Sequence, residues 1–244
     1  MSFGLIRAAI ILKVAPNPAR RLRIVNAVAA TAFVVGGSLF AIGAALAQAG
    51  VAEDVYLSVY LVGGFFFSTG GYASLVQVVN EPDEPGGVVP ARWRWWSREP
   101  PRLAWLSAAV LFAGTIVFAI NLVDSFIEGL SAAEEDRLVW SPDLIGCALF
   151  LVSGHLALVG IGGWRFWRHR DLGWWIVVVN QIGSILFMVS AVASFVRPST
   201  GDALAVGIAN WGTIGGALCF AIAGAMQEFE HPAGPRRRRP SQAL

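Results

Sequence analysis

Residues 63–71 read GGFFFSTGG, so that Gly63, Phe67 and Gly71 follow one another at intervals of four residues. The same Gly-x3-Phe-x3-Gly spacing returns in residues 146–154 (GCALFLVSG) and 216–224 (GALCFAIAG). A shorter Gly-x3-Phe motif precedes each copy, beginning at Gly36, Gly114 and Gly183. One such motif is common in apolar sequence and means little. Six in register predict three copies of a two-helix hairpin.

The chain around these motifs is too apolar for a soluble protein. Of its 244 residues 56% are hydrophobic and 14% are charged, whereas a soluble domain has roughly a quarter charged residues. About 20 apolar residues cross a bilayer as a helix, and long crossing segments must be helical because lipid cannot satisfy backbone polar groups. Six stretches qualify: about 24–48, 55–79, 103–127, 143–165, 174–196 and 203–227. The predicted fold is all-α, a polytopic membrane protein of six transmembrane helices in three parallel helical-hairpin repeats.

Basic residues predict the orientation of these helices. All but two of the 18 Lys and Arg residues lie on one side of the predicted membrane, and only Arg137 and Arg197 lie on the other. Because short cytoplasmic loops carry the excess of Lys and Arg, both termini are expected in the cytoplasm. We therefore predict a multi-pass protein of the cell inner (plasma) membrane. All basic residues but Lys13 are Arg, and Ala and Gly abound, which suggests a bacterial genome of high GC content.

The chain divides at its charged and Pro-rich stretches. An interfacial N-terminal segment is predicted because Phe3, Ile6, Ile10 and Val14 share one helical face. The outer loop of the second hairpin, residues 129–142, is expected to be the longest. The predicted divisions are an N-terminal segment 1–23, a first hairpin 24–80, a cytoplasmic linker 81–102, a second hairpin 103–165, a cytoplasmic loop 166–173, a third hairpin 174–228 and a basic cytoplasmic tail 229–244.

The motif glycines are predicted to pack helices together. Small residues let helix backbones approach closely in lipid, where helix association depends on packing. Each motif Phe, one turn from its Gly, is expected to fill the groove beside the contact. The predicted packing residues are Gly36, Gly63, Gly71, Gly114, Gly146, Gly154, Gly183, Gly216 and Gly224.

Two Arg-rich segments are predicted to contact the lipid surface. Trp93, Trp95 and Trp96 alternate with Arg in the linker, a pattern typical of the headgroup layer. The tail carries Arg236, Arg237, Arg238 and Arg239, which suit anionic inner-leaflet headgroups. Docking of a protein partner is the alternative for both. The predicted partners of the chain are membrane lipids and either a partner protein or a second copy of the chain. The net charge of +2 reflects topology, and no nucleic-acid partner is predicted.

Polar side chains within predicted helices are the candidates for function, because such groups are costly in lipid. They are Asn121, Asp124, His155, Asn180 and Gln181. They could line a polar pathway. Equally, His155 could be a neutral imidazole bonded to a neighbour, and the two amides could join helices. Asp124 belongs either to a solvated acidic rim, with Asn121 and Glu128, or to a vestibule that attracts cations.

No catalytic pattern accompanies these residues. The sequence contains no Walker, Cys-x-x-Cys or nucleophile-elbow motif. Cys147 and Cys219 lie at different predicted depths, which favours core packing over a disulfide or a metal site. We predict no enzyme, no catalytic or metal-binding residues and no cofactor. The expected function is non-enzymatic binding of partner proteins or lipids in the bilayer; the alternative is a small-solute or ion transporter with a pathway between the repeats.

The hairpins also resemble a known family. The runs from Gly36 to Phe40, from Gly63 to Gly71 and from Gly183 to Phe187 resemble the YrhK-like membrane domain, a small helical hairpin of bacterial membrane proteins. The second hairpin departs from this pattern, with Thr115, Ile116 and Val117 between its Gly and Phe. The resemblance implies a helical-hairpin fold and no catalytic residues.

Overall fold

The computed structural model describes residues 18–82, 92–162 and 171–230. These residues form six helices that are long and apolar enough to cross a membrane. Apart from one isolated bridge between Val196 and Ala203, the described ranges contain no β-structure. The predicted interfacial helix from Phe3 to Val14 and the Arg236–Arg239 run lie outside the described residues, while residues 18–23 of the predicted N-terminal segment belong to the first helix. The helices are α1 (Pro18–Gln48), α2 (Glu53–Asn80), α3 (Leu103–Asp124), α4 (Ala132–Gly160), α5 (Leu172–Ala193) and α6 (Val206–Gln227).

The six helices form a closed ring in chain order. Each helix packs against the helices before and after it, and α6 packs against α1. Loops 49–52, 125–131 and 194–205 lie at one end of the bundle, here called the distal end, and the described linker residues 81–82 and 92–102 lie at the other, the terminal end. The ring therefore consists of three antiparallel hairpins: α1–α2, α3–α4 and α5–α6.

Motif glycines face each other inside every hairpin. A Cβ added at Gly36 would lie 3.0 Å from the carbonyl oxygen of Gly63, and one added at Gly146 would lie 3.3 Å from that of Gly114. In the third hairpin a Cβ on Gly216 would lie 2.9 Å from the carbonyl oxygen of Gly183. Any side chain at these sites would push the two backbones apart.

The second glycine of each longer motif faces the next hairpin instead. Gly71 on α2 lies against Thr115 and Phe112 of α3, and Gly154 on α4 lies against Gln181 of α5. Gly224 on α6 closes the ring: a Cβ there would lie 2.9 Å from the carbonyl oxygen of Ala30 on α1. The extended motif thus supplies one glycine for the contact within a hairpin and one for the contact between hairpins.

The six motif phenylalanines meet on the axis of the ring. Phe40, Phe67, Phe150, Phe187 and Phe220 are buried in one cluster, and Phe118 packs against it. Ring centroids within this group lie 5.0 to 6.5 Å apart, in the range for favourable aromatic pairs. We call these six side chains the aromatic plug. The sequence prediction put each Phe in a groove beside its own helix contact, whereas the rings of all three hairpins share one central cluster.

Helix α4 begins earlier than the sequence suggested. A capping box between Ser131 and Glu134 starts the helix, so that most of residues 129–142, predicted as a loop, are helical. Residues Asp136–Trp140 form a π-helical turn, two residues before Pro142. Proline has no N–H for the α-helical ladder, and a π turn accommodates the break without ending the helix. The longest distal loop is consequently 194–205.

Residues after 92 close the terminal end by hydrogen bonding to the last turn of α2. The Asn80 side chain is fully buried; its Nδ2 donates to the Arg94 carbonyl at 2.6 Å, and its Oδ1 accepts from the Arg94 N–H at 2.9 Å. Trp105 Nε1 donates to the Ser97 carbonyl at 2.8 Å. Trp95 and Trp96 remain 66% and 59% exposed at this end, available to a lipid surface.

Candidate functional site: the distal vestibule

A cavity of about 870 Å³ opens at the distal end of the bundle. All six helices contribute to its wall, and Phe40 and Phe118 of the aromatic plug lie at its base. We call this cavity the distal vestibule. Its volume lies within the range of small-molecule binding sites. Representative lining residues from α1 to α6 are Phe40, Tyr60, Asn121, Asp143, Ser190 and Thr213.

The vestibule is acidic. Its lining includes five carboxylates and no Lys or Arg among the residues that the structure describes; the carboxylates belong to Glu53, Asp54, Glu128, Glu135 and Asp143. The two basic residues of the distal end, Arg137 and Arg197, are exposed. The Arg197 guanidinium donates to the Leu204 carbonyl at 2.7 Å. A cleft lined by one sign of charge focuses potential and concentrates counter-ions, so this vestibule attracts cations.

Neutral polar groups in the wall already have partners. Asn121, 8% exposed, donates from Nδ2 to the Val139 carbonyl in the π turn at 2.7 Å. The Ser190 hydroxyl lies 2.7 Å from the Ala209 carbonyl and 2.7 Å from the Thr213 hydroxyl. These bonds join α3 to α4 and α5 to α6, and they hold the wall together.

Asp143 is the carboxylate nearest to the aromatic plug along its helix. It follows Pro142 on α4, about 16 Å along the helix from Ala132 and about 10 Å before Phe150. Its Oδ1 lies 3.7 Å from the Cys147 thiol, a weak donor. The Tyr60 side chain lines the same cavity, and the described lining has no basic side chain to pair with the Asp143 carboxylate.

The five predicted pathway residues are not brought together. Asn121 lines the vestibule, whereas Asp124, the last residue of α3, does not. His155 is exposed on the outer surface of the ring, five residues before α4 ends. Asn180 is partly buried on α5, and its carbonyl accepts from the Ser184 hydroxyl at 3.0 Å. Their role in a pathway stays a prediction.

Gln181 places a buried polar atom without a hydrogen bond inside the described part of the ring. It is 6% exposed, and its Oε1 has no hydrogen-bond partner among the described residues. The side chain packs against Gly154, across the contact between α4 and α5. The amide therefore lies at a helix contact, as the packing alternative expected, although its oxygen is not bonded across it.

Sequence reasoning missed Asp143 and Tyr60 as site residues. Asp143 is the first residue of a predicted apolar stretch, and an acidic residue at such a position is usually interpreted as part of a loop. The capping box Ser131-x-x-Glu134, visible in the sequence, could have placed it a few turns inside the helix. No protein-family model, curated protein or solved structure that was compared with the chain matches it.

Proposed function

We propose that this chain is a non-enzymatic integral membrane protein that binds a ligand from outside the cell in its distal vestibule and is closed to permeation. The observation that carries the proposal is the aromatic plug directly beneath the vestibule. Six phenylalanine rings at centroid distances of 5.0 to 6.5 Å leave an open cavity on one side of the axis and packed side chains below it.

Charge placement supports the orientation that this proposal needs. The distal end carries acidic residues with Arg137 and Arg197, while the sequence prediction puts all other basic residues on the opposite side. By the positive-inside rule the termini then lie in the cytoplasm and the vestibule faces outward. The equivalent glycine contacts in the three hairpins support a parallel threefold repeat, and the kinship with the YrhK-like membrane domain stays a prediction.

The alternative proposal is transport. A vestibule that is open at one end and plugged below has the form of a pathway closed at an inner gate. The gate would be the plug, because all six helices supply one ring to it. A route through His155 is disfavoured, since that side chain points away from the ring axis.

Cysteine accessibility tests both orientation and closure. In a background with Cys147→Ser and Cys219→Ser, single cysteines replace Thr213 in the vestibule, Ser184 one turn beyond the plug and Ser97 at the terminal end. A membrane-impermeant thiol reagent is applied to intact cells. We expect labelling at position 213 alone, with position 97 labelled only after permeabilisation.

Each other pattern contradicts a defined part of the proposal. Labelling at position 184 from outside would show an aqueous route past the plug and favour transport. Labelling at position 97 in intact cells would reverse the orientation. Absence of labelling at position 213 would mean that the vestibule is closed to the outer solution and would refute the binding site.

A further inference from the structure

Asp143 is a vestibule carboxylate that no basic side chain of the described lining neutralises. Asp143 has the Cys147 thiol at 3.7 Å as its hydrogen-bond neighbour, and no basic residue of the described chain lines the cavity with it. A carboxylate taken out of bulk water without a partner is costly. A bound cation or a bound proton would remove that cost.

The surroundings of Asp143 select the kind of cation. Inorganic divalent ions need several oxygen ligands converging at one point. The four other vestibule carboxylates lie in the distal loop 125–131 or in the first turn of α2 or α4, away from Asp143 along the chain. The cavity lining combines the Asp143 carboxylate with aromatic rings, among them Tyr60 and Phe118, and this is the composition of organic ammonium sites.

Tyr60 is the aromatic side chain best placed for this role. Its ring packs 5.8 Å from Phe40 and 6.1 Å from Tyr56, centroid to centroid. Gly43 on α1 makes room for it, because a Cβ there would lie 2.8 Å from two atoms of the ring. Tyr60 and Asp143 line the same cavity. The missing side chain at Gly43 thus makes room for an aromatic ring in the wall of the cavity that holds the carboxylate.

We propose that the distal vestibule binds a small organic ammonium ion, with the Asp143 carboxylate as counter-ion and the Tyr60 ring as an aromatic wall. This inference rests on the proposed function, since the ligand must reach the vestibule from outside. An ammonium group could be carried by a free solute or by a lipid headgroup, and the two share the same recognition chemistry.

The test uses the full chain with Cys147→Ser, Cys219→Ser and Thr213→Cys, reconstituted in phosphatidylglycerol nanodiscs, which contain no ammonium group. The rate of thiol labelling at position 213 is measured against increasing benzyltrimethylammonium. We expect saturable slowing of the labelling. Labelling that the probe does not slow would overturn the ammonium inference while leaving the open vestibule intact; no labelling at all would refute the proposed function itself.

Variants separate the counter-ion from general surface charge. Asp143→Asn keeps the shape and should weaken the probe's apparent affinity tenfold or more, whereas Glu128→Gln at the exposed rim should change it less than threefold. Equal losses in both would show that diffuse charge, and not Asp143, holds the cation. Retention of full affinity in Asp143→Asn would overturn the proposal.

A second pair of variants tests the aromatic wall without touching the charge. Tyr60→Phe keeps the ring and should keep the affinity, while Tyr60→Leu removes it and should lose several-fold. Equal affinity in these two variants would overturn the role of the ring.

Nanodiscs of phosphatidylethanolamine test the source of the ammonium group. Slow labelling of position 213 in these nanodiscs without the probe would assign the ammonium to a lipid headgroup, and fast labelling would assign it to a free solute.

Discussion

Replacing Gly37 by Ala should destabilise the ring at the contact that closes it. Gly37 is buried on α1, and an added Cβ would lie 2.6 Å from the Ala217 carbonyl oxygen and 3.0 Å from the Ala221 nitrogen on α6. Both atoms belong to backbone and cannot rotate away. Because ordinary contact begins near 3.4 Å, α1 and α6 would have to separate by about 0.8 Å. Overpacking of this kind typically costs about 1–3 kcal/mol.

Gly207→Ala is the matched control for this substitution. It adds the same methyl group to α6 at an exposed site, where a Cβ would meet nothing within 4 Å. Alanine favours a helix over glycine by up to about 1 kcal/mol, a gain that is available to both variants but smaller near a helix end. The difference in unfolding free energy between the two variants is therefore a lower bound on the overpacking cost. We expect this difference to be about 1–2 kcal/mol.

The assay is the midpoint of thermal unfolding in one detergent, followed by circular dichroism for the native chain and both variants. We expect Gly37→Ala to unfold at a lower temperature than the native chain, and Gly207→Ala to unfold at or above it. If the two variants unfold at the same temperature, then the close approach of α1 and α6 does not limit stability, and the account of the glycines as contact residues is wrong.

Three further predictions address the plug, an unbonded amide and the linker. Phe67→Ala should cost about 3–5 kcal/mol of unfolding free energy, because Phe67 is 2% exposed among other rings. Phe65 is 71% exposed, so Phe65→Ala should be near neutral, and equal unfolding midpoints for the two variants would count against the plug. Gln181→Leu should raise the midpoint, since an unbonded buried polar group costs about 1–3 kcal/mol; a lower midpoint would mean that the amide is bonded. Asn80→Ala should speed tryptic cleavage after Arg94, and an unchanged rate would mean that other contacts hold the linker.

The helices and their contacts could be predicted because they follow from short spacings. Four residues separate Gly36 from Phe40 and Gly63 from Phe67, so each pair lies on one face of its helix, about one turn apart. The structure confirms six helices with the length and composition to cross a membrane. The glycines at these spacings do lie against neighbouring helices.

The residues that line the vestibule could not be predicted, because they depend on how the ring closes. Phe40 and Asp143 are more than 100 residues apart, and only the packing of α6 against α1 encloses the space between them. The π turn before Pro142 also sets which face of α4 carries Asp143, and the hydrophobic periodicity of the sequence does not predict this turn. Asn121, a candidate from the sequence, lines the vestibule wall, but the sequence could not separate it from the exposed His155.

The departures from the repeat and the candidate site coincide in the second hairpin. Where α6 meets α1, the contact is built on backbone: Gly37 faces the Ala217 carbonyl, and Gly224 faces the Ala30 carbonyl. Where α4 meets α5, Gly154 faces the side chain of Gln181 instead. The α3–α4 hairpin also holds the π turn, Asn121 and Asp143. Sequences usually break their own structural pattern at functional or strained sites. The π turn is such a break, and its residues Val139 and Trp140 lie in the vestibule wall with Asn121 and Asp143.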